Sequence, residues 1–181
     1  AYLRNGDLSH AKNSFEIAVQ ENSSNEEAIL GKARVCIRNG QYDEAFSLYD
    51  YFLKYFGAVS PYSADVKSAY LQQLYHAGLE SYRAGNFSRS IDFMSRFVQK
   101  FGGSKYSENA LYWIGESFFS LKQFDRAGAY FDKVLSNDFY HKDEDARIKK
   151  GYTYFMSKRF DLAAKEFQTY LKDYPRGKYA Y

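Results

Sequence analysis

The sequence predicts an all-α fold: an α-α superhelix of stacked helix pairs, with about five repeats and a truncated first repeat. Three observations carry this. First, one motif returns along the chain. Gly6-Asp7-Leu8-Ser9-His10-Ala11 is followed by Phe15, Gly40-Gln41-Tyr42-Asp43-Glu44-Ala45 by Tyr49, and Gly85-Asn86-Phe87-Ser88-Arg89-Ser90 by Met94. Lys122-Gln123-Phe124-Asp125-Arg126-Ala127 is followed by Phe131, and Lys158-Arg159-Phe160-Asp161-Leu162-Ala163 by Phe167. The first residues of these motifs stand 34, 45, 37 and 36 positions apart. Self-similarity at such periods marks a solenoid, in which each unit buries its apolar face against its neighbours. Second, Gly78, Gly115 and Gly151 each lie seven residues before a motif start. A glycine inside a helix costs about 0.5–1 kcal/mol relative to alanine, so its return at one position points to close helix packing. Third, the chain holds only 2 prolines, as a run of uninterrupted helices requires.

Helix pairs are expected near 1–20, 24–56, 61–101, 106–136 and 143–174, the first pair being incomplete. In each pair the second helix (helix B) opens after the turn with a small residue and places a large one four positions later on the same face. Ser24-Asn25-Glu26-Glu27 reads as a capping box before Ala28. Ser60-Pro61 reads as an N-cap followed by proline at the first helical position. Ser104 and Ser107 precede Ala110, and Asp143-Glu144-Asp145 places acids where the dipole of the next helix favours them. The 45-residue interval exceeds its neighbours by about three helical turns. Tyr62, Val66, Tyr70, Leu74, Ala77 and Ser81 trace one helical stripe through it, so a lengthened first helix (helix A) is expected around 61–83. The chain reads as one array over 1–181 and as a fragment of a longer protein, because it begins inside a repeat and stops where another helix is due.

Charge and composition exclude several classes. The chain is 45% hydrophobic with a net charge of +3, and its bases are interspersed with acids, so no nucleic-acid footprint is present. No apolar run is long enough for a transmembrane segment, and no signal peptide is visible. Cys36 is the only cysteine and reads as a buried thiol. His10, His76 and His141 lie far apart without ligand-spaced neighbours, so no metal site is expected. His141-Lys142-Asp143-Glu144-Asp145 lacks the glycine turn and regular oxygen spacing of a calcium loop. No phosphate-binding glycine loop and no nucleophile–base set exists, so neither catalysis nor a cofactor is expected.

The repeat resembles the tetratricopeptide repeat. The small residue of that family's helix A is matched by Ala33, Gly78, Gly115 and Gly151. Its helix B Ala-x-x-x-Phe is matched by Ala11/Phe15, Ala45/Tyr49, Ala127/Phe131 and Ala163/Phe167. Lys122 and Lys158 depart from the turn glycine, Ser90 and Met94 from the Ala and Phe, and only Pro175 stands for the closing proline. Phe97–Tyr106, Ala110–Glu116 and Tyr170–Tyr179 are similar in style to the periplasmic Tol-Pal coordinator family and to outer-membrane-assembly lipoproteins. That likeness implies a bacterial cell-envelope scaffold, periplasmic or associated with the outer membrane; a cytoplasmic location is the alternative.

The family resemblance implies a concave surface lined by helix A. Carried over position by position, it assigns partner binding to Arg34, Arg38, Tyr75, Leu79, Arg83, Tyr112, Glu116 and Tyr152. Tyrosine and arginine suit such a role, since both are typical interface hot spots. The lysine and asparagine pattern of chaperone-tail binders is missing here, with Leu30/Arg34, Tyr75/Leu79 and Tyr112/Glu116 in its place. The expected function is a non-enzymatic protein–protein interaction scaffold. Two alternatives stand beside it: a structural spacer that uses edge or convex surfaces, and a glycan or lipid site in the aromatic groove.

Overall fold

The computed structural model describes residues 8–103, 105–136 and 142–180. Expectations placed on Gly6, Ser104 and His141 lie outside these residues. Among the described residues there are nine helices and no strand: α1 (Leu8–Glu21), α2 (Glu26–Arg38), α3 (Tyr42–Tyr55), α4 (Ser63–Arg83), α5 (Phe87–Phe101), α6 (Lys105–Ser120), α7 (Phe124–Leu135), α8 (Asp143–Met156) and α9 (Phe160–Asp173). This is the all-α helix-pair solenoid that the periodic motif predicts. The chain divides into two compact units, Ala1–Leu74 and Tyr75–Tyr181, where the sequence reads as one array. The boundary falls inside α4, which runs for 21 residues.

In the first unit α1 packs on α2 and α2 on α3. Ala28, Ile29, Val35 and Cys36 of α2 are buried, as are Ala45, Phe46, Tyr49 and Phe52 of α3. Tyr70 stacks on Phe46 with ring centroids 5.3 Å apart and donates its hydroxyl to Asp50 at 3.0 Å. Lys12 bridges to Glu44 at 2.9 Å, and Lys32 bridges to Glu16 at 3.0 Å and to Glu44 at 3.2 Å. Burial pushes the Cys36 thiol up to about 11, which leaves it protonated and unreactive.

In the second unit α5 to α9 pack successively, each on the next. The helix A glycines meet the large residue of their own helix B. A Cβ built on Gly78 would lie 2.8 Å from Met94, and one on Gly115 2.7 Å from Phe131. Gly151 stands in the same relation to Phe167. This explains the seven-residue register before each turn: glycine lets the ring of helix B rest on the helix A backbone.

Every described turn between paired helices closes alike. Gly40, Gly85, Lys122 and Lys158 take positive φ, at 70°, 75°, 59° and 61°. Each donates its N–H three residues back, and the following residue donates five residues back, as Lys122 to Phe119 and Gln123 to Phe118. These are Schellman caps. Two of them use lysine in a conformation that favours glycine. In the second unit an edge-to-face ring pair clasps each turn: Tyr82–Phe87, Phe119–Phe124 and Phe155–Phe160, with centroids 5.4, 5.6 and 5.6 Å apart.

A first-turn acid of three helices A also holds the chain about one period further on. Glu26 accepts the Ser60 hydroxyl. Glu108, which is 1% exposed, accepts the N–H of Lys142, the N-cap of α8, at 2.7 Å. Glu144 accepts the N–H of Lys178 at 2.7 Å. Helix starts differ from expectation at two places. Asn25, not Ser24, caps α2, because its side chain accepts the Ala28 N–H at 3.0 Å. The α4 helix begins at Ser63 rather than after Ser60, because the Ser60 side chain accepts the Tyr62 N–H and turns the chain there.

Candidate functional site

The two units are described separately, and the predicted residues divide between them: Arg34 and Arg38 in the first, the other six in the second. In the first unit α2 presents Leu30 and Arg34 on the face turned to the start of α4. Two hollows meet there. One, of about 150 Å³, is lined by Leu30, Arg34, Tyr49, Tyr62, Asp65, Val66 and Ala69. The other, of about 270 Å³, is lined by Phe15, Glu27, Leu30, Gly31, Arg34 and Tyr62. Arg34 is exposed and makes no ion pair among the described residues. A free guanidinium between aromatic walls can bind a carboxylate in a fork and stack on a ring. Arg38 is exposed on the last turn of α2; it lies outside both hollows.

In the second unit the helix A positions fare unequally. Tyr75 is half-buried: its ring lies 5.4 Å from Phe97, and burial pushes its hydroxyl above the usual tyrosine range. Leu79 is half-buried and Arg83 exposed. Tyr112 is only 7% exposed, so its surface is spent inside the fold. It packs on Phe131 at 5.8 Å, and Lys142 lies over its ring. Burial drives its hydroxyl well above the usual tyrosine range. Glu116 is equally buried and bridges to Lys149 at 2.8 Å. Tyr112 and Glu116, expected to offer surface to a partner, are thus largely covered by the side chains of Lys142 and Lys149. Tyr152 is 48% exposed, with its ring edge-to-face on Phe167 at 5.4 Å.

A further feature of the second unit extends the helix A face around Tyr152 onto α9. Ile148, Tyr152, Phe155, Phe167, Tyr170, Leu171 and Tyr179 line an open hollow of about 300 Å³ on α8 and α9. Tyr179 closes one end. Its hydroxyl donates to Asp145 at 2.9 Å, and its N–H donates to the Tyr170 hydroxyl at 2.9 Å. Lys178 and Lys142 also pair with Asp145. Burial opposes ionisation of Asp145, but the bonds from Lys178, Lys142 and Tyr179 outweigh it and hold the carboxyl below its usual range. The available signal was the pair of apolar stripes Ile148/Tyr152/Phe155 and Phe167/Leu171 at helical spacing.

Among the described residues, no three His, Cys, Asp or Glu side chains converge as a metal ion would require, and no helix is long and apolar enough to cross a membrane.

Comparison with known proteins supports the repeat fold. One family model of the tetratricopeptide repeat matches residues 2–50, and another matches residues 109–138 and 145–176. No curated protein sequence matches the chain significantly. Several solved structures share its fold. MamA from residue 41 onward of Desulfovibrio magneticus RS-1 is 14% identical, covering 94% of this chain and 88% of that one, with a TM-score of 0.51. Another crystal structure of a MamA protein is 17% identical, covering 97% and 87%, with a TM-score of 0.52. A chain of the APC/C hetero-tetramer Cut9–Hcn1 is 18% identical, covering 99% and 39%, with a TM-score of 0.53. At these identities the likeness is one of fold.

Proposed function

We propose that this chain, which carries tetratricopeptide repeats, is a non-enzymatic scaffold that holds a segment of a partner protein against its helix A surface. The observation that carries the reading is Arg34: an unpaired guanidinium set between two aromatic-walled hollows. An exposed guanidinium with no ion pair, set on a concave and partly aromatic surface, is free to take a partner's carboxylate in a fork. Aromatic side chains supply contact area and the guanidinium fixes orientation. Tyr152 and Arg83 provide exposed aromatic and cationic groups on the helix A positions of the second unit.

The setting proposed is a bacterial envelope complex, periplasmic or associated with the outer membrane. It rests on the likeness of Phe97–Tyr106, Ala110–Glu116 and Tyr170–Tyr179 to envelope scaffolds. A spacer role draws support from a different observation. The turn edges carry hollows of about 450 Å³ at Lys122–Arg126 and about 340 Å³ at Lys158–Leu162, which suit lateral contacts.

The test is isolation of the intact protein with its bound partners from fractionated cells, followed by binding kinetics of the purified pair. Arg34→Glu is expected to weaken binding at least tenfold and to slow association. Unchanged binding in Arg34→Glu, together with loss on substitution of Phe124 or Phe160 at the turn edges, would favour the spacer. Recovery of the protein wholly in the cytoplasmic fraction would refute the envelope setting.

A further inference from the structure

Two lysines stand in this fold where a side chain is disfavoured. Lys122 and Lys158 hold the same position in successive turns, with φ at 59° and 61°, a left-handed conformation in which Cβ crowds the backbone. Gly40 and Gly85 fill the equivalent turns without that crowding. Both lysine side chains are exposed, and neither ammonium has a hydrogen-bond or ion-pair partner among the described residues. Within the fold, then, neither lysine offsets its backbone strain with a side-chain contact. A strained residue with an unused charged group points to a use outside the fold.

The two turns lie side by side. Arg159 reaches from the second to Asp125 in the first at 2.9 Å, and Ser157, just before the second turn, lines the hollow at the first. Along this edge Lys122, Arg126, Lys158 and Arg159 outnumber the acids Asp125 and Asp161. Close to Lys158 in sequence stand Met156, Phe160 and Leu162, which are 51%, 56% and 43% exposed. Large apolar side chains gathered on a surface mark a place that is covered in use. Cations set among them match the boundary of a lipid bilayer, where apolar groups enter below the headgroups and lysines stay at the phosphates. An acidic protein surface would account for the lysines but not for the three apolar side chains.

We propose that the turn edge carrying Lys122 and Lys158 docks on the surface of an anionic phospholipid bilayer. The two lysines meet headgroup phosphates, and Met156, Phe160 and Leu162 enter the boundary between headgroups and acyl chains. The contact is peripheral and weakens as salt screens the charges. None of these residues is among those assigned to the protein partner (Arg34, Arg83 and Tyr152), so failure on lipid leaves that assignment untouched.

The test is co-sedimentation of the 181-residue chain with two kinds of vesicle. One is phosphatidylcholine alone; the other is phosphatidylcholine and phosphatidylglycerol in equal amounts. Binding to the anionic vesicles is expected to be at least tenfold tighter than to the neutral ones and to fall as salt is raised. Lys122→Gly/Lys158→Gly should weaken it at least tenfold. Glycine relieves both turns, so this double variant should melt no lower than the parent chain, which separates loss of binding from loss of fold. Met156→Ser/Leu162→Ser should weaken binding to the same vesicles by about tenfold. Circular dichroism confirms that the helices persist in this variant, since both side chains are exposed.

Absence of binding to the anionic vesicles, equal binding to both kinds, or binding unmoved by the lysine replacements would overturn the proposal. So would binding unmoved by Met156→Ser/Leu162→Ser, since attraction of charges alone would then suffice. Two further findings would assign the edge to another occupant and overturn it as well. One is binding to polyglutamate as tight as to the vesicles and dependent on the same lysines, the mark of an acidic protein surface. The other is a dimer in sedimentation that Met156→Ser/Leu162→Ser dissolves.

Discussion

Glu108 accepts the backbone N–H of Lys142 at 2.7 Å, and this one bond joins the first turn of α6 to the cap of α8. The carboxylate is almost wholly buried, so the bond is charge-assisted and shielded from water. It satisfies one of the donors that a helix start leaves open. Glu108→Ala is expected to cost about 1.5–3 kcal/mol, the range for a hydrogen bond to a charged group. Glu108→Gln keeps an acceptor and should cost roughly half as much. Urea unfolding of the two variants checks the order, and equal losses would show that the bond itself is not the source.

Gly115 tests the seam between paired helices. Alanine raises intrinsic helix propensity by about 1 kcal/mol over glycine, so on an open helix Gly115→Ala would stabilise. Here its Cβ would sit 2.7 Å from Phe131. The ring must move, and overpacking of this kind costs about 1–3 kcal/mol. Gly115→Ala is therefore expected to lower the melting temperature, and Gly115→Leu to lower it further. A rise for alanine would mean that Phe131 yields without cost.

Lys122 points the other way. Its φ of 59° places a Cβ in the left-handed region, which costs roughly 1 kcal/mol for residues other than glycine. No side-chain contact in this turn depends on the lysine. Lys122→Gly should stabilise the chain by about 0.5–1 kcal/mol, while Lys122→Ala should change little. Thermal melts of the two variants separate backbone strain from loss of the charge.

The network around Glu44 predicts a pH dependence. The hydrogen bond from Lys12 holds the Glu44 carboxyl below its usual range, with burial opposing and Lys32 assisting. The folded state then binds fewer protons than the unfolded chain, so the contribution is present above the unfolded value, near 4.3 for a glutamate. It is lost as pH falls through the folded value. Glu44→Gln should accordingly lower the melting temperature at pH 7 and have little effect near pH 3. A gap of constant size between wild type and variant would show that the ion pair contributes nothing to it.

The sequence is legible where one residue type has one physical use. Glycine inside a helix has little purpose other than close approach, so Gly78, Gly115 and Gly151 located the seam before any coordinates. The turn motif located every described helix pair, because its small and large residues face the same way in each repeat. Exposure was not legible in that way. Glu116 and Tyr152 hold one repeat position, yet only Tyr152 is open. Whether such a residue is open depends on what covers it, and the covering helix lies some 30 residues away. The partner of Glu116 was hidden for this reason: Lys149 stands 33 residues on, beyond any local pattern. The turns at Lys122 and Lys158 show the converse limit, since lysine gives no sign of a positive φ. The Glu108 bond did leave a signal, an acid in the first turn of one helix A about one period before the next.

On the function proposed above, the helix A surface, and not the helix B surface, meets the partner. The most direct measurement is photo-crosslinking in intact cells, with a photoreactive residue placed singly at Arg34, Arg83 and Tyr152 on helix A, and at Ser47 and Lys133, exposed on helix B. Discrete adducts are expected from the helix A positions and none from Ser47 or Lys133. Adducts confined to Ser47 and Lys133 would contradict it.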